Sequence, residues 1–233
     1  MAPDHRGMKT MAIFVTAVAA LLIVGMMLKL LTTPGSVHDA VRARSEMKLS
    51  LILLFRPSLV DQRDEINRTP LHLAASEGDR LSADYLISKG ANLEAQDNKG
   101  QTPLILAAGV DKLDTADLLL TRGAKVNAVD KVGMTALHWA CYNGHVEMAD
   151  MLIKAGANIN ASDKKFMTPL HHAVKKGNKK IVAKLLENKA APNIPNSDGY
   201  TPLDTANMEV QDEIAAMLKK HGARGAWDDR RIR

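Results

Sequence analysis

The apolar positions of this chain fall into two regimes. From Met11 to Leu28 they form one continuous run, MAIFVTAVAALLIVGMML, eighteen residues with no charge and a single threonine. From Leu49 onward they come in short clusters at helical spacing. Five times a leucine is followed three residues later by an alanine: Leu71 and Ala74, Leu104 and Ala107, Leu137 and Ala140, Leu170 and Ala173, Leu203 and Ala206. Residues three apart share one face of a helix, and the alanine lets a neighbouring helix approach closely. A second apolar pair follows the first four of these, at Leu86-Ile87, Leu119-Leu120, Leu152-Ile153 and Leu185-Leu186. Each stretch opens on a threonine, at 69, 102, 135, 168 and 201, so the pattern returns every 33 residues without a slip. Self-similarity at such a period predicts a solenoid of stacked helix pairs. A solenoid presents a long binding surface and brings no chemistry of its own.

The breakers fall where this reading needs them. Proline follows the threonine at 70, 103, 169 and 202, with Ala136 in the third unit. Proline in a first helical turn is pre-organised and gives up no hydrogen bond. Gly78, Gly144 and Gly177 mark the turn between the two helices of a unit, and Gly90, Gly123, Gly156 and Gly222 end the second helix, where glycine suits a left-handed cap. An Asn-rich extended stretch such as Ala157–Asn160 then leads through Asp97, Asp130 or Asp163 to a tight turn with Gly100, Gly133 or Gly199, just before the next threonine.

These five in-phase units, covering about 69–223, closely resemble the ankyrin repeat. The resemblance implies an all-α repeat solenoid of antiparallel helix pairs with β-hairpin fingers, stacked into a curved array with a concave face. Several positions depart from the pattern. Asn67 and Phe166 stand where the finger has glycine; asparagine tolerates the left-handed conformation, whereas a bulky residue is strained there, so that finger is either reshaped or uses its Phe for contact. Lys189 replaces a capping glycine, which predicts a different end to the fourth helix pair. Asp111 replaces the turn glycine of the second unit, with Gly109 nearby as a compensating residue.

Counting back one period from Thr69 reaches Ser36. Residues 36–68 lack the signature, yet Leu53-Leu54 and Asp64 fall where Leu86-Ile87 and Asp97 would. They read as a degenerate N-terminal capping repeat, since terminal units are atypical; an isolated apolar strand over Leu49–Phe55 is the alternative. Residues 201–223 read as the C-terminal cap and 224–233 as a loose tail.

Residues 11–31 read as a transmembrane helix, with 1–10 as an N-terminal tail. About 20 mostly apolar residues span a bilayer, and Lys29 can snorkel to the headgroups. A cleaved signal peptide, giving an exported soluble protein, is the alternative, although its apolar region usually runs only about 7–15 residues. Arg6 and Lys9 precede the span, whereas Lys29, Arg42, Arg44 and Lys48 follow it. That asymmetry places the repeats on the cytoplasmic (or matrix-like) side. Only residues 32–35 join span to cap, and four residues reach at most about 14 Å. The array is therefore expected to sit close to the membrane.

Composition adds little and excludes some classes. The one cysteine, Cys141, rules out an intramolecular disulfide and sits at a small apolar position of its repeat. The net charge of +5 is mild, and no basic groove tracks through several repeats, which argues against nucleic acid. His72, His138 and His171 share position four of the repeat, where the resemblance implies a bond to neighbouring backbone. His171 and His172 are adjacent and cannot face one site on a helix, and no cysteine or carboxylate cluster has ligand spacing. No metal, cofactor, small-molecule substrate or enzymatic activity is expected.

The resemblance puts function on positions that vary between units, the finger tips and the open face of the first helix. Of eight aromatic residues, Trp139, Tyr142, Phe166 and Tyr200 fall there in consecutive units. Aromatic residues and methionine are enriched in interface cores. The expected partner-binding set is Val132, Met134, Trp139, Tyr142, Lys165, Phe166, Met167, His172, Lys175, Lys176 and Tyr200. Unit 168–200 carries six lysines against Glu187 and Asp198, so anionic lipid headgroups near Lys175–Lys184 are a second possible contact. The expected function is protein–protein binding at a membrane surface, as an accessory subunit of a membrane complex or as a transient tethered adaptor.

Overall fold

The computed structural model describes residues 36–226 and, in the N-terminal segment, Val18, Leu21, Leu22, Val24 and Gly25, which are helical. The expected transmembrane helix otherwise lies outside the described residues, as do the linker 32–35 and most of the tail. Among the described residues no helix is long and apolar enough to cross a membrane.

Residues 36–226 form six helix pairs. The first is α1 (Ser36–Arg42) with α2 (Glu46–Phe55), followed by a 3-10 turn at Pro57–Asp61. Then come α3 (Pro70–Glu77) with α4 (Arg80–Ser88), and α5 (Pro103–Gly109) with α6 (Leu113–Thr121). Next are α7 (Ala136–Asn143) with α8 (Val146–Lys154), and α9 (Pro169–Lys175) with α10 (Lys179–Glu187). The last pair is α11 (Pro202–Met208) with α12 (Asp212–Lys220). Residues 36–68 therefore form a complete unit, and Leu49–Phe55 belongs to a helix rather than to a strand.

The repeating leucine and alanine build the core. Leu71, Leu104, Leu137, Leu170 and Leu203 are all buried, and the five alanines three residues later are wholly inaccessible. First helices of successive units touch along more of their length than second helices do, so the stack is tighter on the first-helix side. Cys141 is buried in this layer, and burial pushes its thiol up.

Three recurring polar ties lock unit to unit. Thr69, Thr135 and Thr168 each give their backbone N–H to the Nδ1 of the histidine three residues on. That fixes the proton on Nε2, which donates to the next finger: His72 to the Gln101 carbonyl at 3.0 Å, His138 to Met167 at 3.1 Å and His171 to Tyr200 at 3.2 Å. The second tie explains the Asn-rich stretches. Asn127 Oδ1 accepts the Asn158 N–H at 2.7 Å, Asn160 accepts from Ala191 at 2.8 Å, and Asn193 accepts from Arg224 at 2.7 Å. Asp204 replaces the histidine in the last unit and accepts from Thr201 and Ala226. The start of the tail is thus held down rather than loose.

The third tie runs between fingers, and here the expected β-hairpins do not appear: there is no strand among the described residues. Each finger is a single turn, and one backbone bond joins it to the next. Lys131 donates to the Lys99 carbonyl at 2.9 Å, Lys164 to Val132 at 3.0 Å and Ser197 to Lys165 at 2.9 Å. The glycine replacements also end differently from expectation. Asp111 itself takes the left-handed conformation (φ +57°), so Gly109 compensates for nothing. Lys189 does the same (φ +64°) and closes its helix with the bonds that Gly156 makes.

Candidate protein-binding surface

The three fingers that carry Val132, Phe166 and Tyr200 are each shaped by one acidic or amide side chain. Asp130 Oδ1 accepts the backbone N–H of Val132 and of Met134, both at 2.9 Å. Asp163 Oδ1 does the same for Lys165 at 2.8 Å and Met167 at 2.9 Å, and Asn196 for Asp198 and Tyr200. With the turns fixed from within and the tips bonded edge to edge, Val132, Lys165 and Phe166 stand outward on one continuous edge. Val132 is 53% and Phe166 61% exposed. The Phe166 finger is not reshaped: its backbone keeps the left-handed turn at φ +56°, a conformation that costs a side-chain-bearing residue roughly 1–2 kcal/mol.

The second oxygen of the same two aspartates reaches the first helices. Trp139 Nε1 donates to Asp130 Oδ2 at 2.9 Å, and His172 Nε2 donates to Asp163 Oδ2 at 3.0 Å. In both cases donor and acceptor are nine residues apart, and the two donors occupy the same repeat position. From there a file of ring edges crosses the two units. Trp139 meets Tyr142 edge-on at 6.1 Å, Tyr142 meets His172 at 5.9 Å, and His172 meets His138 at 5.6 Å. Lys176 Nζ lies 4.2 Å from the Tyr142 ring centre, within range of a cation–π attraction.

Burial sets the charge states. It drives the pKa of His172 below the usual imidazole value, against the pull of the Asp163 carboxylate. For Asp163, burial pushes upward, but the Met167 N–H, the His172 ring and the Lys165 N–H together hold it below the usual carboxylate value. The pair is therefore a neutral imidazole donating to an ionised carboxylate. His172 Nδ1 is buried and has no hydrogen-bond partner.

The expected partner-binding residues separate into three groups. Val132, Lys165, Phe166, Lys175 and Lys176 are exposed, while Trp139, Tyr142, Met167 and Tyr200 are half-buried along the same side. Met134 and His172 are corrections. Both are only 7% exposed, Met134 because it follows the finger back into the stack and His172 because Asp163 draws it inward. The lysine cluster is also less free than its sequence suggests. Lys184 pairs with Asp150 at 2.7 Å, Lys179 pairs with Glu213, and Lys176 lies on Tyr142. Sequence reasoning passed over Asp130 and Asp163, treating them as turn residues. Their signal was a Trp or His nine positions later in the same two units.

Among the described residues, no three or more His, Cys, Asp or Glu side chains gather as metal ligands. The family model for ankyrin repeats in three copies matches residues 37–130 and again 85–163, and the model for ankyrin repeats in many copies matches 152–206. Among curated proteins the sequence has no match. The family matches together span 37–206, well over half of the chain; with six stacked helix pairs and the histidine and finger ties at a 33-residue period, the chain belongs to the ankyrin-repeat family.

Proposed function

We propose that this chain is a single-pass, membrane-anchored protein-binding subunit whose partner is itself a membrane protein. An ankyrin array is a protein–protein interaction module, and such proteins are typically not enzymes. The observation that carries the choice of surface is Phe166. Glycine occupies its turn position in the fingers of Gly100, Gly133 and Gly199, yet here an aromatic side chain is kept in a strained backbone and turned to solvent. Strain of this kind is retained where it serves contact. Val132 and Lys165 flank it on the bonded edge, and the Trp139–Tyr142–Lys176 file lies on the first helices behind. A rigid, preformed surface of this sort binds with little ordering cost.

The anchor rests on the uncharged run of residues 11–28 and its short connection to α1. Val18, Leu21, Leu22 and Val24 within it are helical and exposed, as a helix facing lipid requires. The excess of lysine and arginine after the span supports a cytoplasmic array. A protein is favoured over anionic lipid at Lys175–Lys184, because three of those lysines already have partners within the chain.

Native-size fractionation of mildly solubilised source membranes tests this reading, using the wild-type chain and Phe166→Gly in parallel. The wild type is expected to co-migrate with a constant set of membrane proteins, and Phe166→Gly to be depleted from it. A wild-type chain running alone near its own mass plus detergent rules out the subunit reading.

A further inference from the structure

The first helix pair is a cap, and caps of solenoids turn a polar face to solvent. The outer helix of the C-terminal cap obeys this: α12 exposes Asp212, Glu213, Lys219 and Lys220. Its N-terminal counterpart does not. Leu49, Ile52 and Leu53 bury one side of α2 in the stack, while Met47 is 82%, Leu54 70% and Phe55 50% exposed on the other, with Leu51 half-buried between them. Met47, Leu51, Leu54 and Phe55 stand at i, i+4, i+7 and i+8, which is a continuous apolar stripe. A helix apolar on both sides is one that is covered on both sides.

The other units serve as an internal control. At the position of Met47 the later units carry Arg80, Leu113, Val146 and Lys179. Leu51 corresponds to Asp84, Asp117, Asp150 and Ala183, and Phe55 to Ser88, Thr121, Lys154 and Glu187. Leu54 corresponds to Ile87, Leu120 and Ile153, which are half-buried and packed against the core. At the positions of Leu51 and Phe55 no internal outer helix carries a large apolar side chain, so these two are not a by-product of the repeat. Toward α4, Met47 shares a shallow groove with Leu81 (66% exposed) and Tyr85, whose rim is made polar by Glu46, Ser50, Asp84 and Ser88.

We propose that this outward face of α2, formed by Met47, Leu51, Leu54 and Phe55, is seated in the interfacial layer of the membrane that holds residues 11–31. The inference rests on the anchored reading above. Four residues separate the span, 11–31, from α1, a reach of about 14 Å, so the cap is the part of the array tethered nearest the bilayer. Amphipathic helices settle about 5–10 Å into the headgroup and acyl boundary, a depth that one row of Leu, Met and Phe side chains fills. Lys48, exposed beside Met47, can snorkel to the phosphates. A second copy of the chain fits less well, because a standard stable interface uses about 20–30 residues a side and this stripe offers four. Seating at this end points the array away from the bilayer and leaves the Phe166 edge free for its partner.

Depth-dependent quenching decides the matter. The full-length chain is placed in lipid nanodiscs, one chain per disc, with a polarity-sensitive fluorophore on Leu54→Cys, on Glu187→Cys of α10 as the distal control, or on Val18→Cys as the anchor reporter. Cys141 is buried and stays unlabelled. Nitroxide-bearing lipids are expected to quench the Leu54→Cys emission at a depth of about 5–10 Å, to quench Val18→Cys as strongly, and to leave Glu187→Cys unchanged. If Leu54→Cys behaves like Glu187→Cys while Val18→Cys is quenched, the anchor stands and the seating is wrong. An unquenched Val18→Cys removes the anchored reading and this inference with it. Protection of the Leu54→Cys label from aqueous iodide without quenching by the lipids identifies a protein cover and overturns the proposal.

Discussion

Trp139 donates its indole N–H to Asp130 Oδ2, nine residues earlier, at 2.9 Å. The same carboxylate holds the turn of its finger through Oδ1, so the exposed edge at Val132 and the half-buried ring of the first helix are coupled by one side chain. Trp139→Phe keeps an aromatic ring beside Tyr142 and removes only the donor. Asp130 is 6% exposed, and depriving a buried charged acceptor of a partner costs about 1.5–3 kcal/mol. The urea midpoint of Trp139→Phe, followed by circular dichroism, is expected to fall accordingly. An unchanged midpoint would mean that the indole makes no such bond in solution.

Phe166→Gly should act in opposite directions on stability and on binding. Relieving the left-handed strain returns roughly 1–2 kcal/mol, while the added freedom of glycine in the unfolded chain subtracts about 0.4–1 kcal/mol. Since the ring is 61% exposed, little packing is lost. Equilibrium unfolding is expected to show a variant as stable as the wild type or up to about 1.6 kcal/mol more stable, with weakened capture of the partner. A clear loss of stability would mean that the ring packs within the fold, and the case for contact would fail.

Acid should weaken the array through its buried histidines. Burial holds His72, His171 and His172 below the usual imidazole value, and takes His138 from 6.5 to about 4. For His138 the neighbouring His172 adds to the downward shift. In the unfolded chain these rings bind a proton near pH 6.5, while the folded rings stay neutral. Folding stability is therefore full above about pH 6.5 and declines as pH falls toward 4, by up to about 3 kcal/mol for His138. The carboxylates held low, Asp64, Asp150 and Asp163, titrate below 3.8 and add their loss only at still lower pH. Thermal unfolding at pH 7.5 and pH 5 should show a lower Tm at pH 5, and His138→Gln, which cannot take up a proton, should flatten the difference. Equal pH dependence in the two proteins would remove His138 from the account.

The period, the helix pairs and the buried leucine and alanine rows could be read from sequence, because each rests on contacts that recur at the same spacing in every unit. The helix pair within 36–68 was signalled by Leu53 and Asp64. Hydrogen bonds between units that use side chains at irregular positions were harder to see. Met134 and His172 look like surface residues by repeat position, and only the inward pull of Asp163 and the return of the finger bury them. Phe166, Asp111 and Lys189 show the reverse failure. Propensity says that such residues avoid φ > 0, but the ties on either side of each turn hold the backbone there whatever the side chain. The stripe on α2 was legible as hydrophobicity alone; which side of the helix stays open depends on where the stack ends.

Two glycines with nearly the same backbone separate strain from crowding. Gly133 (φ +84°) lies in a finger and Gly156 (φ +86°) caps α8. A Cβ on Gly156 would meet nothing within 4 Å, whereas one on Gly133 would come to 2.9 Å from the backbone nitrogen of Lys164 and 3.2 Å from Asp163. Gly156→Ala should therefore lose only the left-handed cost of about 1–2 kcal/mol. Gly133→Ala must also push two finger backbones apart and stretch the bond from Lys164 N–H to the Val132 carbonyl, now 3.0 Å. Chemical denaturation is expected to rank Gly133→Ala below Gly156→Ala, and amide exchange at Lys164 should speed up in the first variant only. Partner capture should fall in Gly133→Ala as well, because that bond sets Val132 and Phe166 on one edge. If both variants lose the same stability and Lys164 stays protected in each, the fingers are not held together along that edge, and Val132 and Phe166 do not form a single preset surface.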